Sequence, residues 1–231
     1  MKQAIILAAG KGVRMLPLTK NVPKPLIEIN GKPFITYLLD NLEKAGYEKV
    51  VVVVGYLKEK IKNYFKNHNY SFDLQFVDQG EPLGTGHAVS VAKDFVEGEF
   101  VVINGDDVYP LENLKNIPFG DNFNYVHAYK HSNPSNYGAI VREGEYLISL
   151  KEKPKNSKSN LINSGLYKFT PEIFDALSKI DKSERGEYEI TSAIDLLAKE
   201  HRVKVKELSF WQPLGKIEDI LLVKKIIEEK F

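Results

Sequence analysis

Three short groups of residues in this 231-residue chain could do chemistry. The first follows an apolar run, Ala4–Leu7, with Gly10, Gly12 and Arg14, and with Lys24 between two prolines. A strand that ends in small residues lets backbone N–H groups come close to phosphate oxygens, where a side chain would stand in the way. With Arg14 and Lys24 on the same loop, the segment could hold a triphosphate. The second group is Gln79, then Gly84-Thr85-Gly86-His87. An amide with paired donor and acceptor can read the edge of a pyrimidine, and the glycines leave room for a flat base. The third is Gly105-Asp106, where a carboxylate at a strand end could hold Mg²⁺, an ion that keeps several waters and needs few protein oxygens.

Each group has a plainer reading. Gly10-x-Gly12 with Glu28 at about the right distance suits a dinucleotide fingerprint, but Met15 stands where a third glycine is needed and Pro25 breaks the following helix. No Gly-Lys-Ser/Thr follows, so it is not a P-loop. Taken alone, the loop is more readily a surface turn with two solvated cations. Thr85 could merely cap the helix that follows it. Asp106 could be a turn acid, and Asp107 is the more readily only that. The five histidines have no ligand spacing and no Ser or Thr sits in a nucleophile elbow, which leaves zinc hydrolysis and covalent catalysis without support.

The elements that must position these groups alternate in the first half. Strands are expected at Ala4–Leu7, Lys49–Val54, Asp73–Val77 and Phe100–Ile103, and helices after Pro33, at Leu57–Phe65 and at Thr85–Phe95. Such alternation implies right-handed crossovers and a largely parallel sheet. All three groups then fall at carboxyl ends of strands, where ligands of open α/β sheets bind. In the second half, short strands at Tyr125–Lys130, Gly138–Arg142 and Tyr146–Glu152 are separated by turn residues and read as a small antiparallel insertion. Further strands are expected at Leu166–Phe169 and Val203–Leu208, helices at Pro171–Leu177, Tyr188–Lys199 and Ile217–Glu229, and a mobile polar loop at Lys153–Leu161.

Composition narrows the partners. Thirty-two basic residues balance 31 acidic ones, for a net charge of +1, so neither nucleic acid nor an anionic membrane is expected. Cysteine is absent, which removes disulfides and thiolate chemistry and suits the cytoplasm. The N-terminal apolar run is too short for a signal peptide, and no stretch approaches the roughly 18 apolar residues of a membrane span. A single domain over 1–231 is the simplest expectation.

Together these residues resemble the sugar-1-phosphate nucleotidylyltransferase family over nearly the whole chain. The resemblance rests on Leu7-Ala-Ala-Gly-Lys-Gly-Val-Arg14 with Lys24-Pro25, and on Gln79 with Gly84-Thr85-Gly86. Gly105-Asp106, Tyr137-Gly138, Glu152-Lys153-Pro154, Asn163-Ser164-Gly165 and Gly186-Glu-Tyr-Glu-Ile-Thr191 add to it. It implies an α/β fold like that of the nucleotide-diphospho-sugar transferases: a Rossmann-like, mostly parallel central sheet flanked by helices, with a small antiparallel insertion. It further implies that Leu7, Ala9, Gly10, Gly12, Gln79, Gly84, Thr85 and Gly105 line the nucleotide. Arg14 would hold pyrophosphate, Lys24 would reach the α-phosphate, and Asp106 would bind Mg²⁺. Gly138, Glu152 and Asn163 would hold sugar hydroxyls, and Lys153 the sugar phosphate, so that the single domain would have a nucleotide-binding part to about 120 and a sugar-phosphate-binding part from about 121.

The reaction so implied is NTP plus sugar 1-phosphate to NDP-sugar plus pyrophosphate, by direct Mg²⁺-assisted in-line displacement. UTP is the first expectation and dTTP the second, with a glucose-type or N-acetylamino sugar. A homo-oligomer is left open, as is a cytidylyltransferase for another small phosphorylated molecule. The chain departs from the family's usual pattern at Val13, where Thr or Ser is common, at Ser192, where Asp is common, and at Pro213, where many members have a second metal-binding Asp. Pro213 keeps alive a catalytically silent nucleotide-sugar-binding paralogue that regulates a partner. The resemblance covers the transferase part alone, without the left-handed β-helix that makes some members acetyltransferases.

Overall fold

A computed structural model describes residues 1–157 and 159–230. In chain order it forms β1 (Gln3–Ala8), the short strands β2 (Glu28–Ile29) and β3 (Lys32–Pro33), α1 (Phe34–Lys44), β4 (Lys49–Val54), α2 (Lys58–Phe65) and β5 (Asp73–Asp78). Then come α3 (Thr85–Ser90), β6 (Phe100–Asn104), β7 (Asp107–Val108), α4 (Leu111–Lys115), β8 (Asn124–Lys130), β9 (Gly138–Glu143), β10 (Tyr146–Glu152) and β11 (Leu161–Phe169). The chain closes with α5 (Glu172–Leu177), α6 (Ile190–Lys199), β12 (Val203–Glu207), β13 (Gln212–Pro213) and α7 (Asp219–Lys230). No helix among the described residues is long and apolar enough to cross a membrane.

The chain divides into two compact units. The first comprises Met1–Pro82, Asn104–Ile117 and the chain from Phe210 onward. Its strands run β5-β4-β1, all parallel, with Val50–Val54 buried in the middle strand. A valine run suits a strand covered on both faces, where every side chain is out of water and β-branching costs nothing. Met15, Ile27, Ile29, Phe34 and Tyr37 pack with Val108, Leu214 and the buried residues Val223, Ile226 and Ile227 of α7. Met15 is therefore a core anchor of the loop after β1, which is why no third glycine stands there.

The second unit comprises Leu83–Ile103 and Pro118–Ser209. Its strand order is β6-β11-β8-β12-β10-β9. Only β8 and β12 are parallel there; β11 is antiparallel to β6, β8 and β9, and β10 to β9 and β12. The expected α/β class with antiparallel strands in the second half is borne out, and the antiparallel pairing is more extensive than the short strands suggested. One reason is that β11 begins at Leu161 rather than Leu166. The expected loop at Lys153–Leu161 thus loses its last residue to β11, and Lys158 lies outside the described residues. The helix expected at Thr85–Phe95 ends at Ser90 and a separate 3₁₀ turn covers Lys93–Phe95. The helix expected from Tyr188 begins at Ile190, because Tyr188 spends its backbone groups elsewhere.

Candidate active site

In the first unit, β1 runs out into a loop of three 3₁₀ turns, Val13–Met15, Leu18–Lys20 and Lys24–Leu26. Gly12 sits at φ 63°, and a Cβ there would come within 2.9 Å of Thr19 Cγ2. Thr19, a residue the sequence reading passed over, is buried and donates its hydroxyl to the Gly12 carbonyl at 2.8 Å. The far side of the loop is pinned where Tyr56 and Lys60 donate to the Lys20 and Asn21 carbonyls, at 2.8 and 2.5 Å. Gly10 is different. It is exposed, its φ is not positive, and a Cβ added there would meet nothing within 4 Å. The fold does not require glycine at that position.

The flanking groups are ordered by the strand ends. Leu7 and Ala9 carbonyls accept from the Gly105 and Tyr56 amides, at 2.9 and 3.2 Å, and the Gln79 amide donates to the Val54 carbonyl at 2.8 Å. Gln79 is buried. Arg14 is exposed and makes no ion pair among the described residues.

Lys24 and Asp106, 82 residues apart, meet at 2.5 Å between Nζ and Oδ2. The lysine side chain is 9% exposed and the aspartate 37%. Asp107, expected to be a plain turn acid, is instead buried, and accepts from Asn104 Nδ2 at 3.2 Å and the Tyr109 hydroxyl at 3.1 Å. Burial, and next the charge of Asp106, push its carboxyl well above the usual range. Opposite it on β13 lies Pro213, and the Leu214 amide donates to the Asp106 carbonyl at 2.8 Å. A proline beside this turn offers no side-chain oxygen. Among the described residues no cluster of three or more acidic, His or Cys side chains could cage a metal. A half-exposed Asp106 still suits Mg²⁺, which takes one or two carboxylate oxygens and fills its shell with phosphate and water.

In the second unit, Gly84 and Gly86 serve the packing of the chain itself. A Cβ on Gly84 would lie 2.6 Å from the Tyr188 carbonyl oxygen, and one on Gly86 would lie 2.9 Å from it. The close approach permits two backbone bonds, Gly86 N–H to Tyr188 O at 2.8 Å and Tyr188 N–H to Leu83 O at 2.7 Å. Thr85 does cap a helix, but not the one that follows it: its hydroxyl accepts the Ile190 amide at 3.1 Å, at the start of α6.

Gly138, Glu152 and Asn163 converge. Glu152 is registered opposite Gly138, and a Cβ on Gly138 would lie 3.2 Å from both Glu152 Oε2 and Asn163 Cβ. Burial raises the Glu152 carboxyl above its ordinary value, with Glu189 adding to the effect. Arg185 fixes Glu189 through Nε at 3.1 Å and Nη2 at 2.7 Å. Lys153 holds φ 42°, an uncommon backbone for a lysine, with its amide bonded to the Tyr137 carbonyl at 3.0 Å. The resemblance pointed to Glu152, Lys153 and Asn163; the roles of Glu189 and Arg185 as their neighbours needed the fold.

The family model for nucleotidyl transferases matches residues 3–230. The bifunctional protein GlmU of Methanocaldococcus jannaschii is 45% identical over 230 residues, which is 98% of this chain and 54% of that protein. The chain thus spans about half the length of the bifunctional relatives it matches. The UTP–glucose-1-phosphate uridylyltransferase AglF of Haloferax volcanii is 38% identical over 208 residues, covering 87% of this chain and 85% of that one. A crystal structure of UDP-glucose pyrophosphorylase with UDP-glucose superposes over 100% of both chains with a TM-score of 0.89 at 26% identity.

Proposed function

Because the chain belongs to the nucleotidyl transferase family, we propose that it transfers a nucleotidyl group from an NTP to a sugar 1-phosphate, giving NDP-sugar and pyrophosphate. UTP is the favoured donor and dTTP the second, with a glucose-type or N-acetylamino sugar. The names of the uridylyltransferase relative and of the UDP-glucose pyrophosphorylase neighbour support that order. The observation that carries the reading is the Lys24–Asp106 pair beside the pinned loop after β1. A Cβ on Gly12 of that loop would lie 3.3 Å from Lys24 Cβ, so a nearly buried cation and its carboxylate partner border the glycine turn.

The incoming sugar phosphate is already an anionic nucleophile, so no general base is required. Its oxygen attacks the α-phosphorus as the bond to the β-phosphate bridging oxygen breaks, and the electron pair leaves with pyrophosphate. The chain's task is to hold two mutually repelling anions in line and to offset charge as it moves to the leaving group. The loop after β1 binds the triphosphate through backbone N–H groups. Lys24 steadies the α-phosphate and Arg14 the departing pyrophosphate, while Gln79, Gly84 and Thr85 read the base. Gly138, Glu152 and Asn163 take sugar hydroxyls and Lys153 the sugar phosphate. Asp106 would hold Mg²⁺ together with phosphate oxygens and water, and the ion would supply neutralising charge on the phosphates.

Pyrophosphate release with Mg²⁺, across UTP, dTTP, CTP, ATP and GTP against a panel of sugar 1-phosphates, tests the reading. Release is expected first with UTP. Release only with CTP and a different phosphorylated acceptor would move the assignment to a cytidylyltransferase. No release with any pair would overturn it in favour of a nucleotide-sugar-binding regulator, the reading that Pro213 favours.

A further inference from the structure

We propose that a bulge in β11, locked by Tyr167, Ser164 and His127, is the device that aims Asn163 at the sugar, which makes Tyr167 and Ser164 positioning residues. The inference rests on the assignment of Asn163 to the sugar 1-phosphate. On the β8 side, Asn163 pairs with Ala128 and Tyr167 with Val126. Residues 164, 165 and 166 of β11 therefore face the single residue His127 of β8. Extra residues in one strand of an antiparallel pair bend it and re-aim a side chain, and such bulges recur beside active sites.

Each member of the bulge has a defined job. Gly165 takes φ 74°, which any side chain would strain. Its amide donates to Asn163 Oδ1 at 3.1 Å. The Ser164 hydroxyl donates to the His127 carbonyl at 2.7 Å, and the His127 ring donates from Nδ1 to the Leu166 carbonyl at 3.2 Å. Those two bonds take up backbone groups in the stretch where the ladder is shifted. Asn163 Nδ2 donates to the Tyr167 hydroxyl at 2.6 Å.

The consequence lies in what remains on the Asn163 amide. It has two oxygen lone pairs and two N–H donors. Gly165 takes one lone pair and Tyr167 one donor, which fixes the amide plane and settles which end is oxygen. One acceptor and one donor are left on the fixed amide, and a hydroxyl, itself both donor and acceptor, can bond to either. Glu152 and Gly138 stand next to it, so the amide is presented where the sugar-binding residues converge.

The test is a double-mutant cycle on the NTP and sugar 1-phosphate pair that the unaltered chain turns over. Tyr167→Phe removes one hydroxyl and keeps the ring. It is expected to raise KM for the sugar 1-phosphate about 3- to 10-fold, the worth of one oriented hydrogen bond, with KM for the NTP within about twofold. Asn163→Ala is expected to raise the same KM at least as far. Tyr167→Phe added to Asn163→Ala should then change nothing, because the tyrosine acts through the amide. An undiminished Tyr167→Phe effect on the Asn163→Ala background, or an equal rise in the NTP KM, overturns the inference. If Tyr167→Phe lacks a native near-UV signal, Ser164→Ala is read by the same cycle. An unaltered chain that releases no pyrophosphate with any pair overturns the sugar assignment, and this inference with it.

Discussion

Lys24 Nζ lies 2.5 Å from Asp106 Oδ2, and the two ends of that contact are not equally wet. The lysine side chain is 9% exposed and the aspartate 37%. Removing one partner of a buried pair harms a protein mainly by stranding the other charge out of water. Asp106→Ala strands a nearly buried ammonium, whereas Lys24→Met leaves a carboxylate that water still reaches. Asp106→Ala is therefore expected to lower Tm more than Lys24→Met in paired thermal melts. Both should lose roughly 10²–10³ in kcat, the usual cost of a preorganised charge at a reacting phosphate. Equal Tm losses would contradict the burial asymmetry, and near-normal turnover in either variant would remove the pair from the mechanism.

Arg14 separates chemistry from stability more cleanly. It is exposed and unpaired among the described residues, so Arg14→Ala should leave the melting curve unchanged. The pyrophosphate release rate should nevertheless drop by about 10² or more.

Gly10 and Gly84 make opposite forecasts from the same residue type. An alanine at Gly10 meets open space and an ordinary backbone, so Gly10→Ala should hold or slightly raise stability by restricting the unfolded chain. If the loop lies against phosphates, that methyl group blocks the approach and KM for the NTP rises. An alanine at Gly84 would put its Cβ 2.6 Å from the Tyr188 carbonyl oxygen, at φ 112°. Gly84→Ala should therefore lower Tm, whatever the ligand. A Gly10→Ala variant with unchanged NTP affinity would reduce that glycine to a plain surface turn.

What was legible in the sequence was local. The valine run of β4, the glycine loop after β1 and the acid after β6 announce themselves within a few residues, because strand burial and turn chemistry are short-range. Partnerships across the chain were not legible. Thr85 looks like the cap of its own helix but caps α6, 105 residues on. Asp107 reads as a turn acid, and only the fold closes Asn104 and Tyr109 around it. Thr19 carries no motif; its use appears once the loop folds back onto Gly12. The bulge of β11 is partly visible as Asn163-Ser164-Gly165, yet its register can be counted only against β8.

Glu152 holds its place at a cost to stability. Burial, with Glu189, raises its carboxyl above the ordinary value in the folded chain, so the native state binds the proton more tightly than the unfolded one. A group of that kind supports folding below its unfolded value and loses that support as pH climbs through the folded one. At neutral pH the charged carboxylate is then a liability that Glu152→Gln removes. Glu152→Gln is expected to raise Tm at pH 7, with the gain shrinking towards pH 4, while KM for the sugar 1-phosphate rises. A Tm gain that stays constant across that range would contradict the burial argument.

His127 carries the opposite pH signature. Burial lowers its imidazole to about 4, against the small raising effect of the bond to the Leu166 carbonyl. Its Nε2 is buried with no hydrogen-bond partner among the described residues, so a second proton there would place a charge out of reach of solvent. The unfolded chain accepts that proton near the ordinary value of about 6.5, whereas the folded chain resists it down to about 4. The unfolded state thus binds more protons over that interval, and stability falls as pH drops through it, by up to about 1.4 kcal/mol per pH unit from this group. His127→Asn keeps an N–H donor near the Nδ1 position and cannot titrate. Urea unfolding at pH 7, 6 and 5 should find the wild type losing ground to His127→Asn at each step down. Every other group titrates in both proteins, so the difference isolates the histidine. Parallel stability curves would mean that His127 is protonated in the folded chain as readily as in water, and that its ring does not donate from a neutral, buried Nδ1 to the β11 bulge.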